Sequence, residues 1–296
     1  MTGLLLVDKP AGMTSHDVVD RLRRATGIRR IGHTGTLDPN ATGLLVLCID
    51  RATRLSEHLT GLDKVYEGTM RFGLVTRSYD LDGEVLEEHP VPALNLDQIQ
   101  NACNKYIGAI EQLPPMVSAV KVGGERLYKL SRKGEVVERK PRPVTVYEFT
   151  ALSYVEPDVQ VRVACTSGTY VRGLCHDVGQ DLGCGAALAA LRRIRVGEFT
   201  IEDALPVDAF TNQASVSERI IPMDRALTLP EVVIKSSSLQ TVLSGGMLGP
   251  PDFRVACPVT EGWVQIKSER GKLIALGTVE EATYGAAVFP KRVFGD

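Results

Sequence analysis

Apolar and polar positions repeat with two periods along this chain, and the switches between them mark out its elements. "GLLLVD" (3–8) is an unbroken apolar run closed by an acid, the pattern of a buried strand. "SHDVVDRLRRATG" (15–27) changes to the helical period. Val18, Val19, Leu22 and Ala25 share one stripe, Ser15 is the predicted N-cap, and Gly27 ends the element. "GLLVLCI" (43–49) predicts a second apolar strand, so the polar stretch before it is a loop between helix and strand. "KVYEGTMRFG" (64–73) alternates as a strand does. "LDQIQNACNKYIG" (96–108), "GERLYKLSRKG" (124–134) and "TYVRGLCHDVGQDLG" (169–183) predict helices, the last with Val171, Leu174, Cys175 and Val178 on one face. "VTVYEFTALSYV" (144–155) and "VQVRVACT" (159–166) predict adjacent antiparallel strands.

The texture changes near 217–230. "IPMDRALTLPEVVIKSSS" runs through two prolines into a short region of its own. There "SSSLQTVLSGG" predicts one small capped helix, "WVQIKSERGKLIALGTV" a hairpin, and "AAVFPKRVF" a last strand. Strands and helices without regular βα alternation place the fold in the α+β class, followed by a compact, mostly β module. No internal repeat or low-complexity tract is visible.

Composition narrows the class. A 296-residue chain with 44% hydrophobic residues is long enough for a large domain and a small one. No apolar run approaches the ~18 residues of a membrane span. "MTGLLLVDKPAGM" lacks a basic lead and a cleavage site, so the expected compartment is the cytoplasm. Six cysteines form no C-x-x-C pair. Cys165, Cys175 and Cys184, with His176, are spaced too widely for an ordinary zinc site and read better as buried thiols.

Net charge is −2, but the signs are segregated. Arg21, Arg23, Arg24, Arg29 and Arg30 fall in a stretch free of acid. Residues 121–142 hold eight Lys/Arg against three Glu, and "LRRIR" (191–195) adds three more. One face for a polyanion fits this pattern, as do solvated helix surfaces.

The chemistry is narrowed by what the chain lacks. There is no phosphate-binding glycine loop ending in G-K-[ST], no dinucleotide fingerprint, no H-E-x-x-H, and no G-x-S-x-G. What stands out is "GHTGTLDPNATGLL" (32–45), a polar loop with one carboxylate, Asp38, after a run of arginines. A lone carboxylate can act as nucleophile or base, or steady an oxocarbenium-like sugar carbon, which makes nucleoside C–N chemistry on an RNA a candidate. Asp-Pro-Asn is equally a common turn, with Asp38 as its cap.

Six blocks, in order along residues 4–195, carry a resemblance. They are "LLLVDKPAGMTS" (4–15), "GHTGTLDPNATGLLVL" (32–47), "KVYEG" (64–68), "PPMVSAVKVGGERLYKLSRKG" (114–134), "RPVTVYEF" (142–149) and "CTSGTYVRGLCHDVGQDLGCGAALAALRR" (165–193). Together they resemble the TruB family, the tRNA pseudouridine-55 synthases. The C-terminal module resembles the PUA-type RNA-binding domain of that family more weakly. The resemblance implies a mixed, largely antiparallel sheet with flanking helices over residues 1–227, carrying a basic RNA-binding insertion at about 112–142. Residues 228–296 would form the PUA-like domain. It also implies isomerisation of a uridine in the T-arm loop of tRNA.

By position, the resemblance makes Asp38 the essential carboxylate, Tyr66 the residue stacked on the target base, and Arg172 the partner of Asp38. On their residues alone, Tyr66 reads equally as a core aromatic and Arg172 as a surface arginine. Arg172 falls in the first turn of its helix, where the dipole disfavours a cation and an outside anion should compensate. For substrate contact the resemblance points to His33, Lys9, Thr36 and Leu191, and to Lys121, Arg126, Lys129 and Arg132 as phosphate grips. His33 also suits a plain loop hydrogen-bonding role, and Lys9 with Pro10 and Gly12 a buttress beneath the pocket. The reaction is redox-neutral and transfers no external group, so no cofactor or metal is expected, nor an obligate protein partner. One stretch departs from the family pattern: "TRSYDLDG" (76–83) has Arg77 and Ser78 where Asp and Thr are common, while Asp80 and Gly83 remain. Two rival readings are a guide-RNA-dependent pseudouridine synthase and a non-catalytic tRNA-folding chaperone.

Overall fold

The computed structural model describes residues 1–118, 121–122, 125–126, 137–282 and 285–295, those at 121–122 and 125–126 by backbone alone. The N-terminal strands are β1 (Gly3–Lys9), β2 (Ile31–His33), β3 (Thr42–Ile49) and β4 (Lys64–Phe72), followed by a small hairpin of β5 (Leu74–Thr76) and β6 (Val85–Glu88). Next come β7 (Gly108–Gln112), a two-residue pair β8 (Lys121–Val122) and β9 (Glu125–Arg126), β10 (Arg142–Val155) and β11 (Asp158–Cys165). Then follow β12 (Ala186–Val196), β13 (Phe199–Thr200) and β14 (Leu205–Pro206). The helices that matter for the site are α1 (Ser15–Thr26), α2 (Ser56–Thr60), α3 (Leu96–Asn104) and α4 (Val171–Asp181).

One ten-stranded sheet runs β14-β1-β3-β12-β4-β11-β10-β7, with β2 added on β3 and β13 on β12. Only β1–β14 and β3–β12 are parallel, so the sheet is mixed and largely antiparallel, as expected for an α+β fold. The apolar runs of β1 and β3 are explained by burial on both faces. Leu5 and Val7 of β1, with Leu45 and Leu47 of β3, meet Val18, Val19 and Leu22 of α1. Leu4 and Leu6, with Leu44 and Val46, pack on the opposite face against Leu273, Leu276 and Phe294 from the C-terminal region. β4, β10 and β11 bury one face instead, where Phe72, Phe149 and Val161 meet Leu174 and Val178 of α4.

The C-terminal sheet is smaller. β15 (Glu231–Val233) lies parallel to β16 (Gly262–Lys267), which continues antiparallel into β17 (Leu273–Ala282) and β18 (Gly285–Val293). Its own core is built around Val232, Ile234, Val264 and Val288.

Four expectations need correcting. The N-cap of α1 is Thr14, not Ser15: Thr14 Oγ1 accepts from Asp17 N at 3.1 Å, and Asp17 accepts from Thr14 N at 2.8 Å, a reciprocal capping box. "LDQIQNACNKYIG" is helical only to Asn104. "GERLYKLSRKG" opens as strand at Glu125–Arg126, and the remainder of that predicted helix lies outside the described residues. "AALAALRRIRV" was given no element and is the strand β12, at the centre of the large sheet.

Candidate active site

Asp38 sits on the loop between β2 and β3, and this loop is tied down from several sides. Leu37 is buried and its N–H donates to Ser15 Oγ at 2.8 Å, while Ser15 Oγ donates back to the Leu37 carbonyl at 3.2 Å. Gly12 N donates to the Pro39 carbonyl at 3.0 Å. Lys9 is fully buried, and its ammonium donates to the carbonyls of Pro10, Met13 and Pro39 at 2.9, 2.6 and 2.9 Å. All three ammonium protons are thus spent. This fits the buttress reading of Lys9 rather than the substrate-contact one: it staples the "DKPAGM" turn to the Asp38 loop.

Facing this loop is the start of α4. Tyr170, its N-cap, has its backbone N–H held by Gln112 Oε1 at 2.7 Å and its carbonyl by Gln112 Nε2 at 2.9 Å. Arg172 follows with its side chain 5% exposed. Its four Nη protons are all donated, and Nε adds an ion-pair contact. Nε and Nη2 hold the two oxygens of Asp38 at 3.1 and 3.3 Å. Nη1 holds Asp80 Oδ2 at 3.0 Å and the Ser78 carbonyl at 3.1 Å, and Nη2 also reaches the Val117 carbonyl at 3.0 Å. Two carboxylates thus offset a cation in the unfavourable first turn of a helix.

Asp80 is the residue the sequence reading passed over. Its signal was its survival in the divergent "TRSYDLDG" stretch. Its other oxygen accepts from Ser78 Oγ and from Asp82 N, at 3.2 Å for the latter. Asp82 in turn accepts from Asn40 Nδ2 at 2.6 Å, which joins this loop to the Asp38 loop. Ser78 thus anchors Asp80 in the place of the more common Thr.

A cleft of about 470 Å³ opens over Asp38, within the ~300–1,000 Å³ typical of ligand sites. Asp38, Thr36, Tyr66, Arg172 and Leu191 all line it. Arg193, Lys64 and Arg142 line it too; of these only Arg142, in the basic stretch at 121–142, was expected to meet RNA, and Arg193 and Lys64 were given no role. His33, at the end of β2, is not among its lining residues; its Nδ1 is buried without a hydrogen-bond partner among the described residues, and burial and the charges of Arg193 and His16 lower its pKa from the ordinary histidine value. Lys129 and Arg132 lie outside the described residues, as do the side chains of Lys121 and Arg126. Of the five early arginines, Arg21 pairs with Asp208 and Arg23 with Asp20, while Arg24, Arg29 and Arg30 are exposed and form no ion pair among the described residues.

The electrostatics suit a reactive carboxylate. Burial lifts the Asp38 carboxyl above the usual carboxylate range. Arg172 pulls it back, Asp80 and Asp82 push it further up, and Lys9 pulls it down. The Tyr66 phenol is pushed up by burial, with the Arg193 guanidinium beside it as the main offset, so it stays protonated at neutral pH. Among the described residues no group of His, Cys, Asp and Glu is arranged to hold a metal ion, and no helix is long and apolar enough to cross a membrane.

Comparison with known proteins gives this geometry its context. A family model described as "TruB family pseudouridylate synthase (N terminal domain)" matches residues 23–171, and one described as "tRNA pseudouridylate synthase B C-terminal domain" matches residues 172–228. The chain is 51% identical to the tRNA pseudouridine synthase B of Opitutus terrae, over 76% of this chain and 95% of the relative. It is 39% identical to that of Clostridium novyi, over 94% and 95%. Among solved structures, an H/ACA RNP bound to a substrate RNA containing 2′-deoxyuridine matches with a TM-score of 0.76 at 28% identity, over 99% of this chain and 85% of the other. A Cbf5-Nop10-Gar1 complex matches with a TM-score of 0.77 at 30% identity, over 99% and 84%. With the two family models together matching residues 23–228 and relatives spanning most of its length, the chain belongs to the TruB family of pseudouridylate synthases.

Proposed function

We propose that this enzyme isomerises uridine 55 in the T-arm loop of tRNA, with Asp38 as the essential carboxylate. The observation that carries this reading is the two-point grip of Arg172 on Asp38 at the mouth of a nucleotide-sized cleft. That grip fixes the carboxylate's oxygens in place and favours the ionised form.

A uridine stacked in an RNA loop hides its sugar. It must be flipped out at a cost of a few kcal/mol, and stacking on Tyr66 returns about 1–3 kcal/mol. Leu191 walls the base from the next strand. The ribose then faces Asp38, which acts at the sugar as the N1–C1′ bond breaks. The freed base turns, C5 bonds to C1′, and the proton leaving C5 is matched by one gained at N1. Product and substrate are isomers, so no co-reactant enters the balance. Exposed Arg24, Arg29, Arg30 and the basic stretch at 121–142 supply phosphate contacts, which give affinity without sequence reading. The C-terminal sheet extends the RNA-binding surface as a PUA-like domain.

The test uses a tRNA transcript, a bare T-arm hairpin, wild type and Asp38→Asn, with pseudouridine read by mass spectrometry. Wild type should modify both RNAs with no other component. Asp38→Asn should make none, yet bind tRNA within about tenfold of wild type, since phosphate contacts dominate affinity. Modification only when a guide RNA is added would favour the guide-dependent reading. Equal pseudouridine from Asp38→Asn would remove Asp38 from the chemistry.

A further inference from the structure

Two cations at the floor of the cleft have no carboxylate partner among the described residues. Arg193 is 2% exposed and Lys64 5%. Arg193 Nε donates to the Leu44 carbonyl at 2.7 Å and Nη2 to the Gly35 carbonyl at 3.1 Å. Lys64 Nζ donates to the carbonyls of Thr60, at 2.6 Å, and Leu62. Neutral carbonyls orient these groups without cancelling their charge. Beyond these carbonyls Arg193 faces only the neutral Tyr66 hydroxyl, the third ammonium proton of Lys64 has no hydrogen-bond acceptor among the described residues, and both side chains line the cleft.

The sheet sets them under the base-stacking position. Arg193 on β12 is the register partner of Tyr66 on β4, and Lys64 lies two residues before Tyr66, on the same face of the strand. A register shift between Arg193 and Arg195 breaks the ladder just beyond, as bulges beside active sites often do. Each cation works against the other: burial and the Arg193 charge bring Lys64 down to about 8. Buried charges in proteins are normally paired, because an uncompensated one costs several kcal/mol. A fold that buries two like charges at the bottom of an open cleft is built for an anion that arrives with the ligand.

We propose that Arg193 and Lys64 hold the negative charge of the uracil ring while it is detached from the ribose. This rests on the reading that isomerisation takes place in this cleft. When N1–C1′ breaks, its electron pair leaves with the base, which becomes a uracil anion. The charge is consumed when C5 gives an electron pair to C1′, and the proton lost from C5 is balanced by the one taken up at N1. The charge spreads over the ring nitrogens and oxygens in between, and donors fixed beforehand in a water-poor floor stabilise such transient charge best. A phosphate is the alternative anion. It stays on the RNA backbone at the cleft mouth, whereas side chains this deeply buried are reached by an everted base.

The test compares wild type, Lys64→Met, Lys64→Arg and Arg193→Lys on a tRNA transcript, reading single-turnover pseudouridine formation and tRNA affinity at several salt concentrations. Removing one fixed donor to a developing anion costs on the order of 10²-fold in rate. Lys64→Met and Arg193→Lys should lose about that much, Lys64→Arg should recover part, and tRNA affinity and its salt slope should stay at wild-type values. Retained affinity also reports that the variants fold. Three results would overturn the proposal: unchanged rates, a weaker affinity with the salt slope reduced by about one, the mark of a lost phosphate contact, or a rate loss that Lys64→Arg does not relieve. Wild-type activity separates these from failure of the underlying assignment, because a wild type that makes no pseudouridine fails at the earlier step.

Discussion

At the scale of single residues, Asp38, Tyr66 and Arg172 were singled out by the family resemblance of the blocks they sit in, and the structure brings all three to one cleft. Lys9 was read both as a substrate contact and as a buttress beneath the pocket, and its three bonds to backbone carbonyls fit the buttress. Asp80 was hidden. Its partner Arg172 is 92 residues away, and local pattern says nothing about a pairing at that distance. The pairing has a measurable consequence. In the proposed role Asp38 must be ionised to act, so the rate is expected to fall as pH drops through its pKa. That pKa is raised by burial and restrained chiefly by Arg172. Arg172→Met removes the restraint and leaves burial, Asp80 and Asp82 all favouring the protonated form. The acid limb of the single-turnover rate should therefore move to higher pH, and the plateau above it should fall because the carboxylate has lost its two-point grip. An acid limb that stays where it is in Arg172→Met would mean that Asp38 is not the group being titrated.

At the scale of elements, β1 and β3 were legible from their apolar runs and β4 from its alternation, whereas the short strands β2, β5, β6 and β7 and the long β12 were not. "AALAALRRIRV" is mostly Ala, Leu and Arg, which favour helix, with only Ile194 and Val196 favouring strand. Its alternation is also broken, by register shifts between Leu188 and Ala190 and between Arg193 and Arg195. Tertiary pairing decides the matter: β12 fills the slot between β3 and β4 and there carries Leu191 and Arg193 into the cleft. Gly43 shows how tight that slot is. It has φ +101°, and a Cβ there would meet the Arg193 carbonyl oxygen at 2.3 Å and its nitrogen at 2.8 Å. Neither atom is the end of a flexible side chain. Gly43→Ala combines left-handed strain with a backbone clash, so a loss of roughly 2–5 kcal/mol is expected. Denaturant titration should show the lower midpoint, and the pseudouridine rate should fall with it because the clash pushes on Arg193. A variant as stable as wild type would mean that β3 and β12 can separate without cost.

At the scale of the whole molecule, the change of texture near 217–230 announced a second module, but not how firmly it is attached. A flexibly tethered RNA-binding appendage would keep its own core and touch little else. Here Leu273, Leu276 and Phe294 are buried in one cluster with Leu4, Leu6, Leu44 and Val46 of the large sheet. Polar contacts ring that cluster. Arg54 Nη1 donates to the Val293 carbonyl at 2.6 Å, Arg292 lies 3.4 Å from Glu57, and the His58 ring meets Trp263 edge-on at 4.5 Å. The exposed ion pair contributes little, so the apolar cluster holds the modules together. This explains why β1 and β3 are apolar on both faces, since the second module covers the face that α1 does not. It also keeps one fixed geometry between the cleft and the proposed PUA-like surface. Phe294→Ala should cost about 3–5 kcal/mol, the usual range for emptying a buried aromatic site. The loss should appear as a single cooperative transition shifted to lower temperature, with far-UV signal and the fluorescence of Trp263 moving together, because one core serves both sheets. Two separated transitions, with the large sheet melting at its wild-type temperature, would show that the modules unfold independently and that the shared cluster does not couple them.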